Sequence, residues 1–482
     1  DDRAFVIALQ ACYVLAEDEG SLGQDALRRA QALHANAWIK SFDSDVFVGN
    51  ALVSLYGKCG KITEAENVFA GLPIRDIVSW NALLFAYVEE GWPHKALRLF
   101  RQLKEEGVAP DDRTFVSSLL ACVMLVENDD YSDFSAQSTK LIAVEIGRAL
   151  HFKSRLRGFD TDLYVSHTLV NLYGSCGTIA ESENAFIRLR EYSVVSWTVM
   201  CLAYLKQDEG VKALQLYKEM QDEGIAPNDR TITVALQACC SLAEKEATEG
   251  HPDKAILHMI GKALHADAQR TGFDLDAFVS SALVIMYEKC GGLEEANNTF
   301  SELSKDHVAP WNAMLSACIE RDEGHKVLEL YGQMQERGIE VTDTTLLYAL
   351  QACSKTGSLE ICREIHNTLV AAGLESKMSL VNTFIHAYGF CASIADAHAV
   401  FNLMPTHDDV ASWNTLIGGY AQEGNWATSL LLYEKMKGTF VKPDGVTFTS
   451  ILTACCHGGL VEKGIDYLAS MSRDYSLSPE IG

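Results

Sequence analysis

Fourteen cysteines and a set of recurring histidines are the residues of this chain whose types first suggest chemistry. Thiolate and imidazole are the usual zinc ligands, held at tight spacings such as CxxC. Neither CxxC nor HxE occurs in the chain, so a metal is offered no ligand spacing and the zinc-deaminase signature is missing. No Gly-rich phosphate loop appears either, and no catalytic set emerges. The cysteines fall at repeating places instead, in ALQAC (Cys12, Cys239, Cys353) and in YGKCG and its echoes, where they read as small buried hydrophobes. His34, His151, His265 and His366 likewise recur by register, in QALHA, RALHF, KALHA and REIHN. Neither metal nor cofactor is expected. A second polar signal follows each tryptophan of a ninefold-residue motif written four times: Asn81 in SWNALLFAY, Thr198 in SWTVMCLAY, Asn312 in PWNAMLSAC and Asn414 in SWNTLIGGY. The flanks repeat while this one residue alternates between an amide and a hydroxyl.

The elements that must carry these residues follow from the repetition. The four tryptophans stand at 80, 197, 311 and 413, a supermotif of roughly a hundred residues, too long for one solenoid unit. Each supermotif divides into three segments with one plan. In 77–111, Trp80, Leu83, Leu84 and Tyr87 recur at helical spacing, as do Ala96, Leu99, Phe100 and Leu103. Glu90-Gly91-Trp92-Pro93 breaks the pattern between them. Gly107 and Pro110 close the second helix. Each segment is therefore a pair of antiparallel helices, and one pair buries its apolar face only by stacking on another. The repeated Trp, Tyr, Phe and Leu are core.

Composition agrees with a packed chain: 48% of residues are hydrophobic, and no apolar run approaches the ~20 residues of a membrane span. The net charge of −25 and pI near 4.9 argue against sequence-blind phosphate binding. The sequence shows no signal peptide at its start and begins and ends mid-pattern.

The 35- and 31-residue segments, the SWN, ACxxxG and YxKCG-like cores and the endings GVAPD and GIAPN resemble pentatricopeptide repeats, and their alternation resembles the P, L, S order of the PLS subclass of plant organelles. The resemblance covers the whole chain. It implies an all-α fold, a right-handed superhelical solenoid of stacked antiparallel helix pairs, with L units at 2–45, 112–162, 229–276 and 343–377, S units at 46–76, 163–193, 277–307 and 378–409, P units at 77–111, 194–228, 308–342 and 410–444, and an L-like unit at 445–480. Three L units exceed the usual length. Their extra segments, near 13–30, 123–146 and 240–260, carry runs such as AEDEG and VENDDYSD and read as solvated surface loops. An E/DYW-type domain, where family members carry a deaminase, is absent from this chain, which stops at Ser478-Pro479-Glu480-Ile481-Gly482 as a fragment of a longer protein would.

The resemblance also implies where RNA is read: one base per unit, by the fifth residue and the last. Carried over, the readers are Asn50 with Asp76, Asn382 with Asp409 and Asn414 with Asp444 for U, Asn81 with Asp111 for U over C, Asn312 with Thr342 for a pyrimidine, and Thr198 with Asn228 for A. The second residues Val78, Val195, Ala309 and Ala411 are expected to pack on base faces. His167 with Ser193 and Ser281 with His307 depart from the family's pairs, so those S units are expected not to read; Val116, Thr233 and Leu347 mark weakly reading L units. The implied function is sequence-specific binding of single-stranded organellar RNA, selecting sites for C-to-U editing in a plastid or mitochondrion together with editing-complex proteins, with no membrane partner and no catalysis in these residues. RNA stabilisation or splicing without editing is the alternative. A protein-binding scaffold of the tetratricopeptide type is another, although its WxxLGxxY pattern is missing.

Overall fold

A computed structural model describes residues 2–16, 21–40, 42, 44–127, 135–176, 178–249, 254–302, 307–371, 378–403 and 409–475. Among them are 26 α-helices and no strand, so the chain is all-α. The helices fall into two compact blocks, Asp1–Phe273 and Asp274–Gly482. Within each block, every first helix of a pair packs on its own second helix and on the first helix of the next pair.

The two kinds of helix differ because their surroundings differ. The first helix Ile77–Glu89 is flanked on most sides and buries Trp80, Leu83, Leu84, Ala86, Tyr87 and Val88. Its partner Pro93–Glu105 faces solvent on one side and buries only the stripe Ala96, Leu99, Phe100 and Leu103. Pro93 supplies the fixed φ of a first turn, and Gly91 and Gly107, at φ 76° each, make the left-handed bends at the two helix ends.

Two recurrent contacts lock successive pairs together. Each motif tryptophan is buried edge-on against a phenylalanine from the preceding second helix: Phe69–Trp80 at 5.0 Å between ring centroids, Phe186–Trp197 at 5.4 Å, Phe300–Trp311 at 4.9 Å and Phe401–Trp413 at 4.7 Å. A recurring tyrosine of the first helices reaches back with its hydroxyl to that same preceding helix. Tyr56, Tyr173 and Tyr388 meet the Nδ1 atoms of His34, His151 and His366 at 2.9 Å each. Tyr87 and Tyr204 donate to Glu66 at 2.7 Å and to Glu183 at 2.9 Å. The register histidines His34, His151 and His366 thus each hold a neighbour's tyrosine. In YGKCG the glycine allows close approach: a Cβ on Gly57 would stand 2.5 Å from Ala86 Cβ, and one on Gly174 2.6 Å from Ala203 Cβ.

One expectation is corrected. The described parts of the extra L segments are lengthened helices, not loops: Asp112–Glu127, Ser135–Leu156, Asp229–Glu249 and Lys254–Thr271 run to 16, 22, 21 and 18 residues. Ala, Leu, Glu and Lys fill these stretches, all strong helix formers, and their added turns propagate an existing helix without a new nucleus. The acidic stretches 17–20 and 128–134, and the terminal residues 478–482, lie outside the described residues.

Candidate nucleic-acid interface

Among the described residues, the residue that ends a sequence unit is the N-cap of the next first helix. Asp76, in extended conformation, accepts the Ser79 N–H on Oδ1 at 2.9 Å. Asp111 and Asp444 accept from Thr114 and Thr447 at 2.9 Å each, Asp409 from Ser412 at 2.9 Å and Asn228 from Thr231 at 2.8 Å. Ser193 and Thr342 do the same with hydroxyls, at 3.3 and 3.4 Å. These are the residue types that satisfy a helix's first free N–H groups.

The fifth residue of the unit stands beside this cap. The Nδ2 of Asn50 donates to Asp76 at 3.1 Å, that of Asn81 to both oxygens of Asp111 at 2.9 and 3.0 Å, that of Asn414 to Asp444 at 2.9 Å and that of Asn312 to the Thr342 hydroxyl at 3.1 Å. Four of the six expected pairs are therefore joined directly. The other two are joined through a third residue. Thr198 donates to Val194 O at 2.7 Å and meets the Thr231 hydroxyl at 3.0 Å, which in turn bonds Asn228. Ser412 bridges Asn382, at 3.4 Å, and Asp409, at 2.7 Å.

That third residue is the part sequence reasoning missed. It lies three places after the cap and carries a hydroxyl, buried from solvent. Thr114, Thr345 and Thr447 each donate to the Oδ1 of the preceding unit's asparagine, at 2.8, 2.7 and 2.6 Å. The available signal was the spacing D/N/S/T-x-x-S/T at the start of these helices, which reads as an ordinary cap.

The atypical positions separate. His167 Nε2 lies 2.7 Å from the Ser196 hydroxyl, in the relation the asparagines have to their threonines. Ser281 bonds back to Ala277 O in its own helix; the N-cap of the next first helix, Val308–Glu320, is His307, which makes no side-chain cap bond, and Pro310 occupies the hydroxyl's place. Thr233 also bonds its own helix, at Asp229 O.

Charge and shape complete the site. Burial pushes the carboxyls of Asp76 and Asp444 upward, but their hydrogen bonds from cap N–H groups, hydroxyls and asparagine amides outweigh it and hold both below the ordinary carboxylate value. They are anionic acceptors at neutral pH. Val78 and Val195 are about half exposed, at 52% and 49%, and Ala309 and Ala411 are half-buried. In the first block a groove of about 540 Å³ runs past Val78, Asn81, Phe85, Val116 and Tyr164. In the second, one of about 490 Å³ runs past Ala411, Asn414, Asp444 and Val446. Phe85, outside the repeating positions, and Tyr164, at the second position of the unit 163–193, add aromatic surface that the sequence pattern did not flag. Such a groove pairs apolar faces with fixed donors and acceptors, which suits a planar heterocycle; among the described residues no group of His, Cys, Asp or Glu is placed to hold a metal.

Comparison with known proteins gives the following. The PPR repeat family matches residues 75–123, 193–241 and 408–457, and the PPR repeat matches 50–73, 309–339 and 446–475. Among relatives, a pentatricopeptide repeat-containing protein of Arabidopsis thaliana is 29% identical over 462 residues, covering 96% of this chain and 62% of its own length. A second from that plant, named as chloroplastic, is 28% identical, covering 94% and 52%, and a third is 30% identical, covering 93% and 63%. The chain thus spans between about half and two thirds of the length of these relatives. Among solved structures, the pentatricopeptide repeat protein PPR10 in complex with an 18-nt psaJ RNA element is similar in fold, with a TM-score of 0.61 and 15% identity over 97% of this chain and 68% of that one.

Proposed function

Given that this chain belongs to the pentatricopeptide-repeat family, we propose that it binds single-stranded RNA by sequence, one base per repeat, with the fifth and last residues of each unit as readers. The observation that carries this is the gathering of Asn50–Asp76, Asn81–Asp111, Asn312–Thr342 and Asn414–Asp444 at one register, each within 3.1 Å. Thr198–Asn228 and Asn382–Asp409 are gathered through one hydroxyl. A capping residue needs no asparagine beside it; a base-reading site needs both groups, aimed together. The RNA held by the similar PPR10 structure supports the reading.

The finer assignment is a PLS-order protein that selects sites for C-to-U editing in a plastid or mitochondrion. It is supported by the alternating unit lengths and by relatives with chloroplastic in their names. Its part is recognition, and no deamination is assigned to these residues. With repeats running 5′ to 3′ from the N-terminus, the units from Val46 onward specify U-Y-N-N-A-N-N-Y-N-U-U-N, where Y is a pyrimidine and N is unread.

A gel shift tests the core of this. Single-stranded RNA of that sequence should bind, and its duplex should not, because paired bases present no free Watson–Crick edge. Equal affinity for duplex and single strand would refute the assignment, as would an in vitro selection that returned no such motif.

A further inference from the structure

Every first helix that follows a fully assembled reading pair buries a hydroxyl three places after its cap. Thr114, Thr345 and Thr447 set it between the fifth residue of the unit before and their own cap, whereas Ser79 donates to Asp76 and the buried Oδ1 of Asn50 has no hydrogen-bond partner. Where the preceding unit is an L unit, the same place holds Val48, Val165, Val279 or Leu380. These helices still form, and Asp45, Asp162 and Asp276 still cap three of them. The hydroxyl is therefore not required to start a helix. It correlates with the neighbouring polar reader.

We propose that this buried hydroxyl is a positioning residue of the reading site, and that its presence decides which units read. The inference rests on the reading of fifth and last residues given above. The chemistry is a count of donors and acceptors. An asparagine amide has one acceptor oxygen and a two-hydrogen donor. The carboxylate of Asp111 takes one N–H of Asn81 and can only accept, so it fixes which end of the amide faces it. The Thr114 hydroxyl, with its single hydrogen, lies 2.8 Å from Oδ1 of Asn81 and 2.7 Å from Oδ1 of Asp111, and so ties the amide to the cap. What is left for a base is the second N–H of Asn81 in one fixed direction, beside the carboxylate edge. Without the hydroxyl, Oδ1 is left to find another donor, water or base, and the side chain leaves its orientation.

This rule assigns two units that the reader pattern alone leaves unassigned. The unit 163–193 has its hydroxyl, Ser196, already 2.7 Å from His167 Nε2, so His167 selects among bases. The unit 277–307 has Pro310 in that place and a serine turned onto its own helix, so it accepts any base. In the register above they face the fourth and seventh nucleotides.

The test uses the whole chain and the RNA 5′-UUCCACCUCUUC-3′, with all four bases tried in turn at nucleotides two, four and seven and affinities read by fluorescence anisotropy. Wild type is expected to separate the best from the worst base at nucleotide two by about 10-fold or more, the range of base-edge contacts. Thr114→Val should bring that ratio down to about 3-fold or less, while Thr114→Ser restores it; a merely structural role would weaken all four RNAs together. Nucleotide four should show selection that Ser196→Ala removes, and nucleotide seven should be flat. If wild type discriminates at nucleotide two and Thr114→Val discriminates equally, the positioning role is overturned while the reading by Asn81 and Asp111 stands. Flat binding at nucleotide four, or selection at nucleotide seven, overturns the rule for assigning units. If wild type does not discriminate at nucleotide two, the reading itself fails and this inference falls with it.

Discussion

On the proposed reading, replacing Asn228 by Asp should turn the one unit assigned to A into one that prefers G. In the structure both hydrogen bonds that Asn228 receives fall on Oδ1, from the Thr231 N–H at 2.8 Å and the Thr231 hydroxyl at 2.5 Å. A carboxylate supplies that same oxygen; Asp111 and Asp444 hold the corresponding threonines in the same way, at 2.9 Å from the backbone N–H. The cap is kept, so the fold should move by only a few tenths of a kcal/mol. A charge at the helix N-terminus gains about 0.3–1 kcal/mol, and repulsion from the adjacent Asp229 acts against it. What changes is the other end of the side chain, where an amide donor becomes an acceptor. Adenine offers an acceptor at N1 and an amino group; guanine offers an N1–H and an amino group. The exchange should therefore be worth about 1–3 kcal/mol between A and G, roughly 5- to 150-fold in affinity. The assay is anisotropy with 5′-UUCCACCUCUUC-3′ and its counterpart with G as the fifth nucleotide, wild type against Asn228→Asp, with thermal melting as the fold control. Binding of A and G alike by both proteins, each still folded, would show that Thr198 and Asn228 do not select the base.

Further expectations concern the scaffold. Trp80→Ala removes a fully buried ring stacked edge-on against Phe69 and should cost about 3–5 kcal/mol in urea unfolding, whereas Trp92→Ala, at a 40% exposed site, should cost about 1 kcal/mol or less. Gly57→Ala places a methyl 2.5 Å from Ala86 and should lower the melting temperature by the equivalent of about 1–3 kcal/mol, while Gly71→Ala, with nothing within 4 Å, should be neutral or stabilising. Asp76 and Asp444 have folded pKa values depressed below the unfolded one. Their contribution is thus complete above the ordinary carboxyl value and is lost as pH falls through the lower folded one. Melting temperature and U selection at these two units should hold from pH 7 to about 5 and decline together below about 4, and Asp444→Asn should flatten that acid limb.

The helix pairs were legible because a pair has a fixed apolar period and glycine stops. Trp80 with Leu83, Leu84 and Tyr87 states a buried helix face without reference to any other part of the chain. The proximity of Asn81 and Asp111 was accessible only through the repeat register, since 30 residues separate them. Three things were not visible. Thr114 looks in sequence like a capping partner, because its bond to Asn81 spans 33 residues and leaves no local mark. The His34–Tyr56 bond joins two residues that each read as core, and nothing in either helix announces the other. The acidic L segments suggested loops by composition; helix propensity and continuity with an existing helix outweighed that signal in Asp229–Glu249.

If the capping residue also reads a base, as proposed, its double duty has a consequence for how such a protein changes its target over generations. Asp76, Asp111, Ser193, Asn228, Thr342, Asp409 and Asp444 each start the helix that carries the next unit's reader. A new specificity can therefore be explored freely only within the small set of side chains that still begin a helix, chiefly Asp, Asn, Ser and Thr. A change outside that set loosens the first turn of the following helix, and the fifth residue of that helix is one turn further in. The error would be felt at two adjacent nucleotides, the one misread and its 3′ neighbour. Retargeting by single steps is thus channelled into exchanges among four residue types, and larger departures require a compensating change at the hydroxyl three places on.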